Sequence, residues 1–384
     1  MPVGRSRANP WLTALLLLLI AVVALAGCAR NRTSPSQAWS GVAVEAEAVY
    51  VGTKDGRVVQ LSSDTGAPRV SPFKVPEADA ESGEPAFYGT PIISGDRLYV
   101  AGYNGFIYSM NAADLTDVSV FEVDSDGLAK GVAGSLAAAG SKVVVAVSED
   151  VNQGRLYVLN ADTLAESCRY PARGLDPVGQ IWSTPVIADG VAYFGGLDHR
   201  LHAVTVEGCT QVWAPRELGG AIVAPPVVIG DKLYVGTFDR SFYEIDIETG
   251  LEIELFSGEG WFWGAPATDG EVLYVPNMDG RIYAYEPAAR RLLWAEPNDN
   301  LEPVLSTPVI VGEYLVYGSD AGNLNVLRRV DGGFEWGRSF SDKIRAPLTV
   351  DGNIVLVHDL SNTVTAIDIG TKRVVWDRDL DDVN

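Results

Sequence analysis

Ser183-Thr184-Pro185-Val186-Ile187-Ala188-Asp189-Gly190-Val191-Ala192-Tyr193-Phe194-Gly195-Gly196-Leu197-Asp198-His199-Arg200-Leu201-His202-Ala203-Val204 alternates three short apolar runs with two turns. The runs are too short and too closely spaced for helices, so the stretch reads as three antiparallel strands. Its likeness recurs through most of the chain, which makes the number of copies the first question.

Aligned on the residue equivalent to Pro185, the copies begin at Val42, Pro91, Leu136, Pro185, Pro225, Pro266, Pro308 and Pro347. A strand ends about eight residues later in each, for example at Tyr50-Val51, Tyr193-Phe194 and Tyr274-Val275. Turns such as Lys54-Asp55-Gly56, Tyr103-Asn104-Gly105 and Met278-Asp279-Gly280 follow. Glycine there supplies the positive φ of a tight hairpin. A third strand alternates, a second turn such as Asp64-Thr65-Gly66 or Glu248-Thr249-Gly250 comes next, and a fourth strand often carries Trp213, Trp294, Trp336 or Trp376.

Four strands per copy with no helix between copies is the pattern of a propeller blade. One such sheet cannot cover both of its faces, whereas eight packed radially can, and a closed ring exposes only short edges. The fold class predicted is all-β, an eight-bladed β-propeller with four antiparallel strands per blade over residues 41–384. An open β-solenoid is the alternative, disfavoured by the hairpin signature. Either the strand of Trp376 or residues near Trp39 could complete the eighth blade.

The Thr-Pro start, the Leu-Tyr-Val-Gly second strand, the Asp-Gly turn and the closing tryptophan resemble the PQQ-like (quinoprotein alcohol dehydrogenase-like) propeller repeat. The resemblance spans roughly residues 41 to 380. It implies that the outer tryptophans pack between neighbouring blades. It also implies two functional classes, quinone-dependent dehydrogenases and non-enzymatic scaffolds. Among the scaffolds is the lipoprotein propeller subunit of the outer-membrane β-barrel assembly machinery. The dehydrogenases carry adjacent cysteines beside the quinone. Cys28, Cys168 and Cys209 are the only cysteines here and no two are adjacent.

The first residues run from basic (Arg5, Arg7) through an apolar stretch, Trp11 to Ala26. This is an export signal pattern. Leu25-Ala26-Gly27-Cys28 looks like a bacterial lipobox, which predicts a signal peptide over 1–27 and acylation of Cys28. Residues 28–40 then read as a polar tether. Asn31-Arg32-Thr33 matches a glycosylation sequon, an accidental match in a bacterial lipoprotein. The expected location is a cell or outer membrane, lipid-anchored, facing the periplasm or exterior. An oxidising compartment permits Cys168 and Cys209 to pair, and two separately packed cysteines remain the alternative.

Formal net charge is −21, which argues against a nucleic-acid partner, since phosphate binding requires concentrated Lys and Arg. The histidines His199, His202 and His358 show no metal-binding spacing. No phosphate loop, calcium loop or catalytic constellation can be read, and no cofactor or metal is assigned.

Hairpin geometry puts the turn between strands two and three on the same end of the disc as the connection arriving from the previous blade. That end collects the candidate binding face: Phe87, Tyr88, Trp182, His199, Arg200, Arg240, Trp261, Phe262, Trp263 and Arg345. His199 and Arg240 stand where other turns place glycine, giving up the residue that most cheaply adopts positive φ. They mark either a binding surface or a turn that changed type. Trp261-Phe262-Trp263 cannot all face one core; a partner contact and packing between blades with one ring lining the channel are the two accounts. The expected function is a non-enzymatic, lipid-anchored protein-binding scaffold, monomeric on its own, with envelope assembly as one role. The alternatives are a quinoprotein-type ligand-binding propeller or dehydrogenase, or a carbohydrate- or peptide-binding surface protein.

Overall fold

The second and third strands of each repeat carry apolar side chains on both faces, and both faces are covered: Ala48–Gly52 and Leu273–Pro276 are buried at every position. A strand covered on both sides must lie between other sheets. In the computed structural model, which describes residues 39–80, 85–123, 131–150, 153–297 and 301–383, these strands form eight four-stranded antiparallel sheets. Each sheet follows sequence order from its innermost to its outermost strand. The molecule is an eight-bladed β-propeller. The signal segment 1–27, Cys28, the sequon and residues 28–38 of the tether lie outside the described residues, as do Val151 and Asn152 of the third-blade loop.

Blade I comprises β1 (Val42–Glu45), β2 (Ala48–Gly52), β3 (Arg57–Ser62) and β4 (Phe73–Lys74). Blades II to VIII begin at Ile92, Ala137, Val186, Val227, Ala267, Val309 and Thr349. A short α-helix, α1 (Glu77–Ala80), lies on the connection between blades I and II. Blade III departs most from the rest, with second and third strands extended to Lys142–Asp150 and Gln153–Asn160. There Glu149 is buried and accepts from Arg155 Nε at 2.9 Å and the Tyr157 hydroxyl at 2.5 Å.

Ring closure uses no shared strand. Blade VIII ends on its own fourth strand, Arg373–Asp379, and meets blade I through side chains. Trp376 Nε1 donates to Ser63 O at 2.6 Å, Arg378 Nε to Gly66 O at 2.9 Å, and Arg57 reaches Val383 O. His358, wholly buried, bonds Ser40 O through Nδ1 at 2.8 Å. Burial holds the His358 imidazole below its ordinary pKa, outweighing the hydrogen bonds to Ser40 and Asn362 that favour its charged form.

The outer tryptophans pack between blades by a common device. Trp294, Trp336 and Trp376 sit opposite Ala284, Val326 and Ala366 in the registers of their sheets. Trp213, Trp294 and Trp376 each donate their indole N–H to a carbonyl of the following blade, Ile247, Arg329 and Ser63. The last residue of the receiving turn is Gly250, Gly332 or Gly66, each with positive φ. The reason is steric: a Cβ on Gly66 would lie 2.4 Å from Cε3 of Trp376, and one on Gly250 2.9 Å from Cδ2 of Trp213.

Junctions III/IV and VII/VIII each keep part of this device. At III/IV, Cys168 takes the tryptophan's register opposite Val158, and Cys209, with φ 52°, takes the glycine's side of the receiving turn. The two are disulfide-bonded, with Cα atoms 5.8 Å apart. At VII/VIII, Trp336 meets a turn whose positive-φ residue is Lys372, and its buried Nε1 has no hydrogen-bond partner.

Candidate functional site

Backbone hydrogen bonds fix the geometry of the connecting face. The first residue after Gly102, Gly196, Thr237, Asn277, Ser319 and Asp359 in the second-to-third-strand turns donates to the connection entering the same blade: Tyr103 to Ala86, Leu197 to Gln180, Phe238 to Ala221, Met278 to Trp261, Asp320 to Pro303 and Leu360 to Lys343. Turns and arriving connections therefore share one end of the disc. The same connections bond back to the preceding blade, as in Phe87 N to Thr53 O and Ile344 N to Ser319 O.

That second stitch buries two residues expected on the surface. Phe87 and Phe262 lie beneath the face, fully enclosed, rather than on it. Each wedges over the glycine that ends the second strand of the preceding blade; a Cβ on Gly52 or Gly236 would approach Phe87 or Phe262 to 2.5 or 2.3 Å. Ile222 and Ile344 do the same over Gly195 and Gly318. The position is a blade-to-blade wedge, and a phenylalanine there serves the core.

The remaining aromatics form a row. Trp182 and Trp263 have centroids 6.2 Å apart, Phe238 stacks on Trp263 at 5.5 Å, and Trp261 stacks on Phe238 at 4.7 Å. Trp182 and Trp261 keep 38% and 47% of their surface in solvent. A second group stands across the axial opening: Tyr103, 43% exposed, meets Tyr88, which meets Trp39 edge-on at 5.2 Å. Arg345 lies 5.5 Å over the Trp39 ring and bonds Asp320 Oδ1 through Nε at 2.5 Å. Trp39, Tyr88, Trp182, Trp263 and Arg345 together border the mouth of the axial channel. Exposed rings on a rigid frame bury area on binding at small entropic cost.

His199 and Arg240 hold φ of 67° and 77°, alongside 77°, 82°, 82° and 84° at Gly56, Gly105, Gly280 and Gly322. The turn type is therefore unchanged, and the left-handed conformation is imposed on side chains that ordinarily avoid it. Both are exposed, as is Arg200, whose guanidinium lies 3.8 Å from Glu217. The candidate face read from sequence omits Phe238, Tyr103 and Trp39. For Phe238 and Tyr103 the signal is positional: the second residue past the end of the second strand varies from Lys54 through Leu197 to Phe238, and only the fold shows that it faces the connections.

Among the described residues no group of three or more His, Cys, Asp or Glu could hold a metal ion. Fold and face together define a PQQ-like repeat propeller with an aromatic connecting face. The family model described as "Outer membrane protein assembly factor BamB" matches residues 29–254 and 278–383, and the chain belongs to that family. It is similar to outer membrane protein assembly factor BamB of Yersinia pestis, 24% identical over 405 residues, covering 92% of this chain and 98% of the relative. The crystal structure of BamB from Moraxella catarrhalis superposes with a TM-score of 0.68 at 21% identity, covering 85% of this chain and 92% of that one. A quinohemoprotein alcohol dehydrogenase from Pseudomonas putida HK5 also scores 0.68, at 14% identity, covering 86% and 70%. These structural likenesses concern the fold.

Proposed function

We propose that the chain is a non-enzymatic scaffold of outer-membrane protein assembly, held at the membrane by acyl chains on Cys28 and docking a protein partner on its connecting face. Family membership supports the assembly role. The observation that carries the docking role is the row Trp182–Trp263–Phe238–Trp261, two of whose rings keep 38% and 47% of their surface in solvent. The lipobox-like Leu25-Ala26-Gly27-Cys28 supports anchoring after removal of residues 1–27. Two or more acyl chains, at roughly 0.8 kcal/mol per buried methylene, suffice for stable attachment.

Trp39 adds a geometric argument. It stands at the axial mouth on the connecting face, and the chain from Cys28 to Trp39 reaches at most ~40 Å fully extended. Partners gathered by this face are thus kept close to the bilayer, as an assembly scaffold requires. The strongly acidic composition favours a protein over an anionic lipid surface as the bound object.

Crosslinking from intact membranes, with the wild-type chain and with Trp182→Ala plus Trp261→Ala, tests this reading. Both side chains are exposed enough for the fold to survive their loss. The double variant is expected to lose its principal crosslinked protein; an unchanged partner set would remove the aromatic face from the proposal.

A further inference from the structure

Between blades III and IV the structure holds a cavity of about 520 Å³, bordered by Tyr170, Asp176, Leu197, Asp198, Arg200 and His202. His202 is 1% exposed, and neither ring nitrogen has a hydrogen-bond partner. Its ring stacks on Phe194 at 5.0 Å, and Nε2 lies 3.8 Å from Asp198 Oδ2, beyond hydrogen-bond length. An imidazole always carries polar capacity, and leaving it buried and unused costs about 1–3 kcal/mol.

Comparison with blade VI shows what is missing. The equivalent of His202 there is Tyr283, whose hydroxyl donates to the turn carboxylate Asp279 at 2.5 Å. The shorter histidine stops short of Asp198, which accepts from the backbone N–H groups of Gly179 and Arg200, each at 3.3 Å. Blade IV thus keeps the acceptor and loses the hydroxyl donor, and both residues border the cavity. Burial pushes the Asp198 carboxyl up, but His202 and those two N–H groups outweigh it and hold it below the ordinary carboxylate range. Asp198 is therefore ionised at neutral pH.

We propose that this cavity receives a cationic nitrogen group, an alkylammonium or guanidinium, which donates to Asp198 and to the free ring nitrogen of His202. Two carboxylates, Asp176 and Asp198, face one guanidinium, Arg200, which is itself turned toward Glu217. An anion would meet net repulsion, and a neutral apolar group would leave His202 unsatisfied. The inference rests on the docking reading in one respect: it takes the cation to be a lysine or arginine side chain of the docked protein.

The chain has three histidines, so ring-nitrogen NMR of the full histidine-labelled protein reads the site directly. Titration with n-butylammonium is expected to shift the His202 resonances saturably, with His199 and His358 unmoved and acetate without effect. Asp198→Asn is expected to weaken binding tenfold or more. His202→Tyr, which installs the blade VI arrangement, is expected to abolish it while the His358 signals report an intact ring. No His202 shift, an equal response to acetate, or undiminished binding in both variants overturns the proposal. A short lysine peptide binding at least tenfold tighter than n-butylammonium assigns the cation to a protein side chain; equal binding overturns that assignment in favour of a free organic cation. Trp182 and Trp261 do not border this cavity, so the crosslinking result fails or stands separately.

Discussion

The junctions VIII/I and VII/VIII start from the same residue type and reach different results. Trp376 and Trp336 occupy the same register on outermost strands. Trp376 lies over Gly66 and hydrogen-bonds Ser63 O; Trp336 faces a turn that carries Lys372 and leaves its indole nitrogen unpaired. The receiving carbonyl exists in both, since Ile369, the equivalent of Ser63, donates its own N–H to Asn353 just as Ser63 does to Glu47. What differs is the Cβ at the positive-φ position. A tryptophan supplies area and a donor, but the glycine of the next blade decides whether it docks. Lys372 instead reaches Glu335 with Nζ at 3.2 Å, an exposed ion pair of the kind that contributes little.

The largest test of this contrast is to remove each ring. Trp376→Ala is expected to destabilise by about 3–5 kcal/mol, the range for a large buried ring, and Trp336→Ala by distinctly less, because its indole brings an unpaired polar group with it. Urea unfolding midpoints measure both. Equal losses would break the comparison.

A smaller effect separates the two junctions by pH. Only the closing junction carries His358, whose imidazole burial keeps neutral. The unfolded chain takes up that proton first, near pH 6.5, while the folded one resists it to lower pH. Stability is therefore unaffected by this group above about pH 6.5 and falls below it, by at most about 1.4 kcal/mol per unit, levelling off beneath the folded value. The stability of the wild type relative to His358→Gln should therefore fall as pH drops from 7.5 to 5.5. A difference that stays level, or that grows as pH falls, would contradict the assignment.

The smallest expected change is a gain. Lys372→Gly relieves a left-handed lysine and clears the space for Trp336, at the loss of the Glu335 pair. The net is expected to be about 1 kcal/mol of stabilisation, with a blue shift of tryptophan fluorescence as the ring settles. Loss of stability would mean that the Lys372–Glu335 pair, and not the glycine, governs this junction.

These contrasts bear on what could be read from the residues alone. Repeat spacing carried the blade count, because it reflects a local rule repeated eight times, and the hairpin glycines and the four outer tryptophans fixed the strand order within the copies that carry them. The aromatic face was legible in part: Trp182, Trp261 and Trp263 stand where turn and connection geometry put them. Phe87 and Phe262 were not distinguishable from their surface neighbours, because alternation along an irregular connection does not say which residue wedges over a distant glycine. His202 was visible as a histidine in a strand; its emptiness appears only when set beside Tyr283 two blades away. The pairing of Cys168 with Cys209 depends on a register between blades that one sequence does not display.

The absence of a shared strand at the closing junction has a consequence for how such a chain changes over time. Every blade is written by one uninterrupted segment of roughly forty residues, and no blade borrows a strand from the opposite end. Duplication or loss of a whole segment leaves every hydrogen-bonded sheet complete and alters only the contacts between neighbours. Ring size is then a copy number that recombination can edit, with the wedge and docking positions at the new seam as the sites where subsequent substitutions must restore the fit.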